Sequence, residues 1–117
     1  MKVRVLMIGV ALLAAGAARH AAAQAAADGK TLYEANCKKC HGALGTPPKA
    51  MKEQFAKIAT FDAAFIAKHS PDSIVVVLTK GKGEDMKPFK GKMTPAEMAA
   101  VAHYVHDLAT RPRAGGE

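Results

Sequence analysis

Cys37-Lys38-Lys39-Cys40-His41 is the stretch on which the reading of this chain turns. Two thiols three residues apart, with an imidazole directly after the second, are what a haem needs for attachment through both vinyl groups and ligation of its iron from one face. On a helix these side chains fall at i, i+3 and i+4 and share that face. Other readings compete. A zinc site would want a second Cys/His pair at ligand spacing, and the remaining histidines are scattered singly. A thioredoxin-like thiol pair would sit in a βαβ context, and no strand-rich pattern surrounds this one. A chance match of three fixed residues is the last alternative. Haem attachment is the reading favoured.

Upstream of the motif, Lys2 and Arg4 form a basic n-region and Val5 to Ala18 an apolar run. Ala21-Ala22-Ala23 offers the small-x-small pattern that a signal peptidase accepts. Cleavage after Ala23 is expected, which divides the chain into a signal peptide (1–23), a folded domain (24–110) and a polar tail (111–117). An uncleaved anchor is the alternative, but the run is shorter than the roughly 20 residues needed to span a bilayer, and Arg19-His20 closes it. A lipoprotein would need a cysteine at the cleavage site, and the first cysteine is Cys37. The expectation is an exported, periplasmic or otherwise extracytoplasmic monomer with no membrane span after processing. Lys2, Arg4 and Arg19 leave with the leader, so the net charge of the remainder falls from +7 to +4.

With no Trp, two Tyr and four Phe, so short a chain buries a limited core and needs a cofactor or crosslink to complete it. A covalently held porphyrin would do so. Both cysteines would then be consumed by thioethers, leaving none for a disulfide.

Asp28 is a ready N-cap for a first helix running to about Lys39. Within it Gly29 and Tyr33 stand eight and four residues before Cys37, on one side. At this spacing Gly29, Tyr33, Cys37, Cys40 and His41 resemble the N-terminal helix and haem motif of the class I c-type cytochromes. That resemblance implies an all-α, cytochrome c-like fold: three main helices plus one or two short ones around a single covalently bound haem c. It also implies that Gly29 and Tyr33 meet a C-terminal helix at a close crossing.

Gly42 to Pro48 is a loop by its Gly and Pro content. An axial histidine generally donates its second ring N–H to a carbonyl. Pro47 or Pro48 is the expected acceptor, as a proline in this loop is in similar cytochromes. Residues 49–60 read as a loose, partly helical connection with Met51, Phe55 and Ile58 apolar. A short helix should begin near Asp62 and stop before Pro71. Ser70-Pro71 then opens a helix to Lys80, ended by Gly81. Its run Ile74-Val75-Val76-Val77 also fits a strand, although a lone strand would have no partner.

The loop Gly81 to Phe89 carries Met86. A thioether is a soft, uncharged iron ligand that, paired with histidine, raises the reduction potential. Met86, followed by Lys87-Pro88-Phe89, resembles the methionine loop of class I cytochromes, which implies axial ligation by His41 and Met86. Met93 and Met51 are rivals, and His69, His103 and His106 offer bis-histidine ligation. Thr94-Pro95-Ala96-Glu97 is a capping box, with Met98, Val101, Val105 and Leu108 recurring at helical spacing to near Ala109.

The function implied is one-electron transfer without substrate chemistry, hence no enzyme. Two alternatives are a haem subunit of a larger oxidoreductase and a haem protein whose open sixth position takes peroxide or a diatomic gas. Lys80, Lys82, Lys87, Lys90 and Lys92 flank the Met86 loop and point to a redox partner with an acidic docking surface; no nucleic acid is expected.

Overall fold

The structure is a computed structural model that describes residues 28–112. The expected leader with its cleavage point, and the tail beyond residue 112, lie outside the described residues. Six helices follow in order: α1 (Gly29–Asn36), α2 (Lys38–His41), α3 (Lys49–Gln54), α4 (Ala63–Ile66), α5 (Pro71–Lys80) and α6 (Pro95–Thr110).

The Asp28 carboxylate starts α1. It accepts the Thr31 hydroxyl at 2.9 Å and the Lys30 backbone N–H at 3.2 Å. These two bonds, the hydroxyl foremost, hold its carboxyl below the usual range. α1 does not stop where the cysteines begin. The Cys37 N–H donates to the Tyr33 carbonyl at 2.8 Å and the His41 N–H to the Cys37 carbonyl at 2.9 Å. The helical path therefore continues through a local deviation at Cys37 (φ −119°) into α2, two residues beyond the expected end at Lys39. Counted with α1 as one helical path, α2 leaves three main helices and two short ones, α3 and α4, as expected.

Ser70 and Thr94 cap α5 and α6. Ser70 accepts the Ser73 N–H at 3.2 Å. Thr94 and Glu97 bond reciprocally, the Glu97 N–H to the Thr94 hydroxyl at 3.2 Å and the Thr94 N–H to the Glu97 carboxylate at 2.7 Å. The β-branched run of α5 is helical. Ile74 and Leu78, four apart, are buried, while Val76 between them is half exposed. Tertiary burial on a 3.6-residue period outweighs intrinsic strand preference here. Among the described residues there are only two isolated bridges, Lys82 with Met86 and Lys90 with Met93, and no strand.

α1 and α5 both pack on α6, and the core lies between them: Tyr33, Ile74 and Leu78 against Met98, Val101, Ala102, Val105 and Leu108. At the α1/α6 crossing a Cβ on Gly29 would overlap the backbone carbonyl of Ala100. Only a residue without a side chain lets the helices come this close. Tyr33 is fully buried beside Tyr104, ring centroids 5.3 Å apart, and its hydroxyl donates to the Gly42 carbonyl at 2.7 Å. One side chain thus ties the crossing to the end of the cysteine–histidine turn.

Candidate functional site

The continuous turn from Cys37 to His41 brings both thiols and the imidazole together, as the i, i+3, i+4 spacing expects. Cys37 is buried, and burial, with Cys40 second, pushes its thiol up to about 11. It is therefore a neutral thiol near pH 7. His41 is half-buried. Loss of water around the ring lowers its pKa, opposed in part by the nearby Ala59 carbonyl.

His41 Nδ1 lies 3.3 Å from the Ala59 carbonyl oxygen. Pro47 and Pro48, the expected acceptors, do not fill this role. The loop after His41 folds on itself, and the Phe61 N–H reaches back to the Gly45 carbonyl at 2.7 Å, so residues 58–61 and not the prolines return across the ring. Phe61 stacks on the imidazole at 4.7 Å with an interplanar angle of 16°. With Nδ1–H spent on Ala59, the lone pair stands on Nε2, the atom available to a metal.

Met86 reaches the same place from a different element. Gly81 (φ 73°) ends α5 where a Cβ would come within 2.6 Å of the Met86 carbonyl and 2.9 Å of the Pro88 ring. The Lys82 N–H donates to the Met86 carbonyl at 2.8 Å, and the Phe89 N–H to the Leu78 carbonyl at 2.8 Å. The methionine loop is therefore tied down at both ends.

Two adjoining cavities, of about 250 and 260 Å³, have Cys37, His41, Phe55, Ile58, Asp85 and Met86 in common. The inner one is walled by aliphatic and aromatic side chains, including Phe61, Phe65, Ile74, Leu78, Val101 and Val105. The outer one includes Cys40. Met93 is buried in the core and Met51 is half-buried, and neither borders either of these two cavities. His103 and His106 border neither; His69 lines the inner one. An apolar cleft with thiols along one edge and an imidazole and a thioether reaching in suits a flat macrocycle carrying iron. Among the described residues no three His, Cys, Asp or Glu side chains gather as a bare metal ion requires.

Sequence reasoning missed Ala59 and Lys57, which line the inner cavity. Any residue offers a carbonyl, so nothing in the sequence marks Ala59. Phe61 reads from the sequence as a core or haem-wall residue, and it does line the inner cavity; its stacking on His41 had no signal.

Comparison with known proteins agrees with this geometry. The family model described as "Cytochrome C oxidase, cbb3-type, subunit III" matches residues 24–105. Cytochrome c6 of Leptolyngbya boryana is 35% identical over 89 residues, covering 76% of this chain and 98% of that protein. The chain belongs to the class I c-type cytochromes. The cytochrome is also similar to the cbb3-type cytochrome c oxidase subunit FixP of Azorhizobium caulinodans, 32% identical, covering 72% of this chain and 27% of that one. Among solved structures, the c-type cytochrome KustC0563 superposes with a TM-score of 0.64 at 36% identity, covering 72% of this chain and 100% of that one. As a member of this family the protein carries one covalently bound haem c and transfers electrons.

Proposed function

We propose that Cys37 and Cys40 hold the haem through thioethers, that His41 and Met86 are its axial ligands, and that the protein is a diffusible one-electron carrier. The observation that carries this reading is the convergence of Cys37, His41 and Met86, from two separate segments, on one apolar cleft. When bound, the haem supplies a reversible ferric/ferrous couple. The chain's own residues keep that couple cheap to cycle. Ala59 and Phe61 fix the plane of the His41 ring, while Gly81, Leu78 and Lys82 fix the Met86 loop, so ligand positions differ little between oxidation states. The apolar wall would exclude water from a bound haem and so favour its less charged ferrous state. Met86 bordering both cavities also speaks against an open sixth position for peroxide or a diatomic gas.

Residues 1–23 act as an export signal, 24–110 form the cytochrome domain and 111–117 a polar tail. Export puts the thiols where haem is attached, and N-terminal sequencing should find a mature chain starting near Gln24. No described helix is long and apolar enough to cross a membrane. Lys80, Lys82, Lys87, Lys90 and Lys92 surround the Met86 loop and suit brief encounters with an acidic redox partner. Attachment to a larger oxidase is a second reading, favoured by the description of the matching family and by FixP. Co-purification of a stoichiometric membrane partner would select it.

The test is the oxidised absorption spectrum. The native protein should show a thioether-to-iron band that Met86→Ala abolishes while opening the iron to added ligands. Survival of the band in Met86→Ala would remove Met86 from the ligand set.

A further inference from the structure

We propose that Lys57 and His69 hold the two carboxylate arms of the haem. The inference rests on the attachment reading above. Thioether bonds to Cys37 and Cys40 pin the vinyl edge of the macrocycle, and the carboxylate arms leave the opposite edge. Cys40 borders only the outer cavity, so the vinyl edge lies there and the far edge is directed into the inner cavity.

The inner cavity holds few polar side chains. Tyr33 and His41 are already committed, to the carbonyls of Gly42 and Ala59. Lys57, His69, Lys82 and Asp85 remain. Lys82 shares its loop with Asp85, which borders both cavities and whose negative charge would repel a second carboxylate. Lys57 and His69 come from the connection before α4 and the turn after it, and Asp85 is the sole acidic side chain bordering the inner cavity. Neither the Lys57 nor the His69 side chain makes a hydrogen bond or ion pair with another described residue, so their side-chain donors are unspent. The His69 ring is held in place. It lies 4.5 Å from Phe65, which is 5.0 Å from Phe61, which stacks on His41.

Ionised carboxylates at the rim of an apolar cleft need such partners, since charge-assisted hydrogen bonds offset part of their desolvation. The chain has no Trp to supply an indole N–H in this role. A cation beside the haem opposes the additional positive charge of ferric iron, so Lys57 holds the reduction potential up, and an N–H donated by His69 to a carboxylate arm acts in the same direction by drawing off part of its negative charge.

The experiment measures the reduction potential of the haem-loaded full-length protein and of Lys57→Gln, Lys57→Arg, His69→Ala and His69→Gln. Lys49→Gln serves as control; Lys49 stands on α3 with its side chain 91% exposed. Lys57→Gln should shift the couple toward ferric at least threefold, about 30 mV at 59 mV per tenfold. Lys57→Arg should restore the potential, Lys49→Gln should leave it in place, and His69→Gln, which keeps an N–H donor, should fall less than His69→Ala. Isotope-edited infrared spectra of the haem carboxylates should show one arm taking up its proton at higher pH in Lys57→Gln than in the unmodified protein. Haem-loaded Lys57→Gln and His69→Ala that match Lys49→Gln in both readouts overturn the proposal and leave the axial ligands untouched. A native protein without covalently bound haem overturns both readings.

Discussion

Replacing Gly29 with alanine tests the helix crossing that frames the haem cleft. In an ordinary helix interior this change stabilises by up to about 1 kcal/mol, because alanine restricts the unfolded chain and favours the helix. Gly29 is the first residue of α1, where that gain is smaller, and its new Cβ would run into the Ala100 backbone carbonyl and lie 3.2 Å from the Tyr104 Cβ. A carbonyl in the middle of α6 cannot swing aside, so α1 and α6 must part. Overpacking of this kind costs about 1–3 kcal/mol. The net expectation is a loss of roughly 1–2 kcal/mol, which for a domain of this size lowers Tm by roughly 5–15 °C. Far-ultraviolet circular dichroism of the haem-loaded protein reads it. Adding Tyr104→Ala should give no rescue, since the carbonyl and the residue-104 Cβ both remain. A Tm that is unchanged or higher in Gly29→Ala would refute the close crossing.

Tyr33→Phe leaves the Gly42 carbonyl with only the Gly45 N–H at 3.3 Å beneath a fully buried ring and should cost about 0.5–1.5 kcal/mol in denaturant unfolding. Met93→Ala should destabilise by about 2–5 kcal/mol, as a core methionine, yet keep the thioether-to-iron band. Reversing Lys82, Lys87 and Lys90 to glutamate should slow second-order electron transfer to the native partner while barely altering the haem spectrum. The effect should shrink as salt shortens the Debye length from roughly 30 Å to about 8 Å; a rate indifferent to salt and to the reversals would place docking elsewhere.

Much of the architecture was legible because its signals are local. Asp28, Ser70 and Thr94 each cap the helix they were expected to cap, since a side-chain oxygen next to free N–H groups needs no distant information. Periodicity named Met98, Val101, Val105 and Leu108 as the buried face of α6, and all four are buried. Met86 was legible from its loop context, and the structure brings it to the same cleft as His41. What stayed illegible depends on how far the chain travels before it returns. Pro47 and Pro48 were the nearest plausible acceptors in sequence, but α3 carries the chain outward, and the carbonyl beside His41 belongs to Ala59, eighteen residues on. Lys57 gave no sign beyond its charge, and His69 stood out only as a rival iron ligand, because lining a cavity is a property of two walls and not of either segment.

Acid–acetone extraction of the purified native protein, followed by a denaturing mass spectrum of the chain, tests the central claim most directly. Thioethers from Cys37 and Cys40 predict that the colour stays with the precipitated protein and that the chain weighs the mature polypeptide plus one haem, unchanged by thiol reductants. Haem passing into the organic phase, with a chain of unmodified mass and two free thiols, would contradict it.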